Sequence, residues 1–114
     1  MSLAELTQFM AGFVAERDWQ RYHSPKNLSM SIAIEAAELM ECFQWTETVD
    51  VAALKRDADR YRHVQEEVAD ILAYCLSLAS NLDFDLEGAY LAKMEKNRLR
   101  YPPEKCVGQE FRKA

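Results

Sequence analysis

Apolar residues recur along the chain at three- and four-residue steps, broken at intervals by short polar stretches. Leu3, Leu6, Phe9, Met10, Phe13 and Val14 predict a buried face on a first helix, which opens on a Ser2/Glu5 capping box and runs to about Trp19. The segment from Gln20 to Asn27 carries Pro25 and predicts a loop. Leu28 to Trp45 has neither Gly nor Pro and is dominated by Ala, Leu, Met and Glu, which predicts a second helix. Residues 46–50 form a connection, Val51 to Asp59 a weak helical lead-in, and Arg60 to Leu82 a long third helix. Asn81 to Asp85 breaks the chain, and Asp83 or Asp85 is placed to cap a fourth helix, Leu86 to about Arg100, which Pro102-Pro103 ends. The pattern predicts an all-α fold, an antiparallel helical bundle of four to five helices over residues 1–103, followed by a tail at 104–114.

Two of these helices carry charge where their pattern disfavours it. Glu35 and Glu38 lie one turn apart, and Leu28, Ile32, Leu39 and Cys42 fall within about 60° of Glu35 on the wheel. The opposite side, with Met30, Ala33, Ala37 and Met40, is apolar as well, so this helix belongs in a core or an oligomer interface. The third helix repeats the device with Glu67 and Asp70, and Asp70 is the sole charged side chain from Val68 to Leu82. If the two helices pair, four carboxylates converge, and two carboxylates ~6 Å apart repel by about 3 kcal/mol at an effective dielectric near 20. Cations must then compensate. An all-oxygen acidic site selects a hard ion, Mg²⁺ or alternatively Mn²⁺. Di-iron bundles need Glu-x-x-His pairs, and here the fourth residue is Glu38 or Asp70, never His. The competing reading makes these four residues ordinary surface acids, or the interchain salt-bridge partners of Lys26 and Lys93 in a non-catalytic helical scaffold.

Composition narrows the function classes. The 114 residues carry a net charge of −5 and are nearly half apolar, so a small helical domain with faces this oily is expected to bury the excess against copies of itself. Residues 93–114 hold 7 of the 14 basic groups, and the acidic body that precedes them is a poor partner for nucleic acid. The unclustered Cys42, Cys75 and Cys106 read as reduced thiols, which points to the cytoplasm. No apolar run approaches the ~18 residues of a membrane span.

The spacing Glu35-x-x-Glu38, 28 intervening residues, then Glu67-x-x-Asp70 resembles the signature of the MazG-like all-α nucleoside triphosphate pyrophosphatases. The resemblance is nearest to the small dCTP pyrophosphatase branch. It runs through Arg17-Asp18-Trp19, His23-Ser24-Pro25-Lys26-Asn27-Leu28, Phe43-Gln44-Trp45, and Lys93-Met94, Asn97-Arg98 and Arg100-Tyr101-Pro102. It implies hydrolysis of a (deoxy)nucleoside triphosphate, dCTP or a related pyrimidine nucleotide, to the monophosphate and pyrophosphate. Glu35, Glu38, Glu67 and Asp70 would hold Mg²⁺, with Glu38 the candidate base. It also implies a homo-oligomer, at least a dimer and by family likeness a tetramer. Phosphoribosyl-ATP pyrophosphatases share this chemistry and are the alternative within the superfamily.

The candidates for substrate binding each carry a plainer reading. Trp19, His23 and Tyr74 are either pocket walls or core and surface residues, and the resemblance favours the pocket. Lys93 and Asn97 either reach phosphates or simply suit a helix C-terminus. Trp45, about 20° from Glu38 on the wheel and roughly 10 Å further along by helical rise, is expected to stack on the base. His63 shares the Glu67 side of the wheel, while Lys55, Arg56, Arg60 and Arg62 read as a solvated face. One departure concerns the base: vertebrate members place a histidine in the first helix where this chain has Met10, which leaves the preferred pyrimidine open.

Overall fold

A computed structural model describes residues 1–47 and 50–108, and every element in them is helical. The helices are α1 (Leu3–Glu16), α2 (Pro25–Glu41), α3 (Val51–Arg56), α4 (Ala58–Leu82), α5 (Leu86–Arg100) and α6 (Pro103–Cys106), with a 3-10 turn at Gln20–Tyr22. The all-α expectation holds, with six helices in place of four or five.

The caps explain most of the boundaries. Ser2 and Glu5 form the expected box at the start of α1, with Glu5 N–H donating to Ser2 Oγ at 3.1 Å. α1 stops at Glu16, short of Trp19, because Asp18 takes a left-handed conformation (φ 55°). The N–H groups of Asp18 and Trp19 then return to the carbonyls of Ala15 and Val14, a Schellman closure. Ser24 caps α2, Pro25 occupies its first turn, and the helix therefore begins three residues before Leu28. Asp57 both ends α3 and caps α4 through Arg60 N–H, so the long helix begins at Ala58. Asp83 (φ 56°) terminates α4 and does not cap α5; Asp85 holds that N-cap position without a side-chain bond. Pro102 is the N-cap of α6, which opens on Pro103, where a missing N–H costs nothing. The expected tail at 104–114 thus begins inside a short helix, and its residues 109–114 lie outside the described residues.

The largest correction is at the end of α2. The helix stops at Glu41, and residues 42–45 continue as turns closed by three-residue bonds. Phe43, Trp45 and Thr46 are poorer helix formers than the residues before them. Arg60, expected on a solvated face, supplies the rest: its Nη2 donates to Cys42 O at 3.2 Å and to Thr46 Oγ1 at 3.1 Å. At the other end of α4, Asn81 Nδ2 donates to His23 O at 2.9 Å, just ahead of α2. The start of α4 is thus tied to the end of α2 and the end of α4 to its start, so the two run antiparallel.

α4 is the central helix and packs chiefly on α2 and α1. The buried apolar residues are Val14, Leu28, Leu54, Leu76 and Ala79, with Leu28 only 1 % exposed. Of the face predicted for α1, only Val14 is buried; Leu3, Leu6, Met10 and Phe13 are half-buried and Phe9 is exposed. The radius of gyration is 17.4 Å, against about 13 Å for a compact chain of this length. The accessible surface is 9008 Å², against about 6,400 Å² for a monomer of 13.2 kDa.

Candidate active site

The antiparallel pairing of α2 and α4 sets Glu35 and Glu38 against Glu67, and one carboxylate oxygen from each lies within 4.8 Å of the others. Glu67 is 8 % exposed, while Glu35 and Glu38 are half-buried. Glu35 Oε2 and Glu67 Oε2 are buried and, among the described residues, have no hydrogen-bond partner. Loss of water and the neighbouring carboxylates Glu38, Asp70 and Glu67 push the Glu35 carboxyl up to about 7. Burial and Glu38 raise Glu67 too, opposed in part by His63, whose Nε2 is 3.7 Å from Glu67 Oε1. Among the described residues no lysine or arginine forms an ion pair with these carboxylates, so neither Lys26 nor Lys93 is their partner within the chain. Either protons or a cation must balance them. Three converging carboxylates with two unused buried oxygens suit a hard divalent ion. Asp70, one turn beyond Glu67, stands outside the tight triad, and its charge acts on both Glu35 and Glu67.

Beyond the triad, one stripe of α4 continues through Asp70, Tyr74, Ser77 and Asn81, alternating steps of three and four residues. Next to it opens a hollow of about 230 Å³ walled by Phe13, Trp19, His23, Asp70 and Tyr74, among others. Trp19 stacks near His23 with ring centroids 6.5 Å apart, and His23 lies 6.4 Å from Tyr74. Phe13 meets the Trp19 edge at 6.0 Å, and the Arg17 guanidinium sits 3.7 Å above Phe13. Three residues picked out in the sequence, Trp19, His23 and Tyr74, therefore share one aromatic wall, and Asp70 joins that wall to the acidic triad. Met10 lines the hollow as well.

The remaining candidates lie elsewhere. Because α2 ends at Glu41, Trp45 does not continue the Glu38 face, and the wheel argument for its position fails. It is 90 % exposed and lies beyond the α2 end that Arg60 ties to the start of α4. Trp19 and His23 lie at the opposite end of α2, so in one chain Trp45 is separated from the aromatic hollow. Lys93 and Asn97 are on α5, where they line neither the hollow nor the triad; Asn97 Nδ2 lies against Met94 Sδ at 3.7 Å. Arg60 and Asn81 hold the α2–α4 register and were invisible as such in the sequence, because their partners are 18 and 58 residues away. The Cys42 thiol is held up by burial and by Glu67, which makes it an inert neighbour of the triad.

Residues 30–111 match the model of the MazG-like family. The chain belongs to that family. It is 37% identical over 101 residues to dCTP pyrophosphatase 1 of Rattus norvegicus, covering 89% of this chain and 59% of that protein. The Homo sapiens dCTP pyrophosphatase 1 is 38% identical over the same length, with 59% of it covered. This MazG-like chain thus spans about three-fifths of the curated relatives it matches. A solved pyrophosphatase from Archaeoglobus fulgidus DSM 4304 superposes with a TM-score of 0.76 at 42% identity, covering 87% of this chain and 91% of that one. The superposition agrees with the all-α bundle described above.

Proposed function

We propose that this MazG-like protein hydrolyses a nucleoside triphosphate to the monophosphate and pyrophosphate, with dCTP or a related pyrimidine nucleotide as substrate. The observation that carries the reading is the junction of two unlike surfaces on one stripe of α4. The acidic triad, with its unpartnered buried oxygens, stands beside an aromatic hollow. Asp70, one turn from Glu67, lines that hollow while its charge acts on Glu35 and Glu67. Glu35, Glu38, Glu67 and Asp70 are the residues that would hold Mg²⁺, or Mn²⁺ in its place. When bound, such an ion neutralises triphosphate charge and acidifies water. Glu38, with a carboxylate oxygen within 4.8 Å of those of both Glu35 and Glu67, is the carboxylate set to take the proton of the attacking water. Trp19, His23 and Tyr74 would grip the base by stacking. The curated relatives are named for dCTP, which favours this substrate over phosphoribosyl-ATP.

The same reading makes the protein a cytoplasmic homo-oligomer, at least a dimer and by family likeness a tetramer. Its support is the surplus of accessible surface and the exposure of Ile34, Met40, Trp45, Leu91 and Leu99. Trp45, Lys93 and Asn97 would enter a site only in such an assembly. Among the described residues no helix is long and apolar enough to cross a membrane. A nucleotide panel assayed with and without Mg²⁺ tests the reaction. Pyrophosphate and monophosphate from dCTP, formed only with the ion, are expected; orthophosphate as first product, or turnover indifferent to metal, would overturn it.

A further inference from the structure

Hydroxyls on helices ordinarily return a hydrogen bond to a carbonyl three or four residues back. Thr7 and Ser29 do so: Thr7 Oγ1 donates to Leu3 O at 2.7 Å and Ser29 Oγ to Lys26 O at 2.8 Å. Ser77 does not. It is 5 % exposed, its Oγ is buried, and among the described residues that oxygen has no hydrogen-bond partner. Buried hydroxyls left unpaired are rare in native proteins because each lowers stability. Ser77 also occupies a distinctive place. It walls the aromatic hollow and a second one of about 250 Å³, and the two share Met10, Val14, His23 and Ser77. The second hollow adds Gln20, Ser80 and Asn81, so its far wall is polar. On the α4 stripe Ser77 lies one turn past Tyr74, ten residues and about 15 Å of helical rise from Glu67.

Taking the aromatic hollow as the base site of the nucleotide enzyme proposed above, we infer that Ser77 is a specificity-determining residue. Rotation about its Cα–Cβ bond turns the hydroxyl into the space shared by the two hollows, where it bonds a polar atom on the edge of the base farthest from the triphosphate. The aromatic walls hold the faces of a base and do not tell one from another, since every base has a π-face. Of the four residues common to both hollows, Met10 and Val14 offer no hydrogen bond, which leaves Ser77 and the His23 imidazole as the polar groups there. A hydroxyl both donates and accepts, so it favours bases with a polar group at that edge over those that present carbon there. An unpaired hydroxyl in the free protein is the counterpart of a bond made on binding.

The test is calorimetric binding of dCMP, dUMP, dTMP, dAMP and base-free deoxyribose 5-phosphate to the full chain and to Ser77→Ala, beside thermal melts. Wild type should spread the four bases over at least about 10-fold in affinity, and Ser77→Ala should weaken the favoured one about 10-fold and compress the spread to about 3-fold. Deoxyribose 5-phosphate should bind both proteins alike. The variant should melt at the same temperature or higher, since alanine is the better helix former and no hydroxyl is left unpaired. An unchanged spread would overturn the assignment. So would equal weakening of every ligand, the base-free one included, or a wild type with no base preference. A loss of stability with an unaltered spread would make Ser77 a purely structural residue that holds a buried water. A wild type that discriminates bases here yet releases no pyrophosphate from triphosphates would sink the hydrolytic reading and leave the Ser77 assignment standing.

Discussion

Glu35–Glu38 on α2 and Glu95–Arg98 on α5 share a three-residue spacing and nothing else. Arg98 forks onto Glu95 at 3.0 and 2.7 Å on an exposed surface and holds its carboxyl below the ordinary value. Glu35 meets a second acid, loses water on the α2–α4 seam and rises to about 7. Spacing brings two side chains together; burial and the sign of the neighbour decide what the pair can do. The α5 pair is already neutralised and has no use for a ligand. The α2 pair, joined by Glu67, remains in deficit until protons or a cation arrive.

The sharpest way to break this contrast is to neutralise one member of each group. Glu38→Gln should lower kcat by about 10²–10⁴-fold, as loss of a general base does. It should leave melting unchanged or raised, because removing one of several repelling carboxylates relieves the site. Glu95→Gln should leave turnover and melting where they are, since exposed ion pairs contribute little. Kinetics and melts on the two variants check both halves, and an active Glu38→Gln enzyme would remove that residue from the chemistry.

A second effect concerns the frame that holds the seam. Arg60→Ala frees the carbonyl of Cys42 and the hydroxyl of Thr46, and should cost about 1.5–3 kcal/mol in denaturant unfolding. Arg62→Ala, two residues on, loses only its exposed pair with Asp59 and should unfold like wild type. Equal losses would mean that Arg60 does not close α2.

The smallest effect is the pH dependence of stability without added metal, and its sign differs between the two regions. Glu35 binds a proton more tightly folded than unfolded, so its stabilisation is complete below pH 4.5 and is lost as the pH rises through about 7; Glu67 acts in the same direction. Glu95 does the reverse, stabilising above 4.5 and losing that contribution as the pH falls through its lowered value. Melting should therefore decline between pH 4.5 and 7, and Glu35→Gln should flatten that decline. A wild-type curve that rises across the same interval would contradict the assignment.

Much of this was legible in the residues. Glu35, Glu38, Glu67 and Asp70 stood out because charge inside apolar helices demands a compensating partner, and α2 and α4 do bring three of the four together. The Ser2/Glu5 box places the first helix start for a local reason. The Asp50 and Asp57 caps of α3 and α4, in contrast, went unread, and the long helix begins two residues before Arg60. What could not be read was set by contacts across the chain. Arg60 looks like any charge in a polar run until its reach to Cys42 is known, and with that contact unseen Trp45 was carried along a helix that stops at Glu41. Ser77 is an ordinary helical serine in the sequence, and only the missing bond and the two hollows distinguish it. Met10, read from periodicity as part of the α1 apolar face and from the resemblance as a departure in the base pocket, lies on the walls of both hollows.

The central claim is that the acidic triad is a divalent-cation site whose protons are place-holders. Titration of Mg²⁺ into the protein at pH 7, by calorimetry in two buffers of different ionisation enthalpy, tests it most directly. Saturable binding should release protons, because an ion displaces those shared by Glu35 and its neighbours. Release should fade above pH 8, where Glu35 is already ionised, and should be much reduced in Glu35→Gln. Absence of saturable binding, or binding whose heat is the same in both buffers at pH 7, would contradict the account.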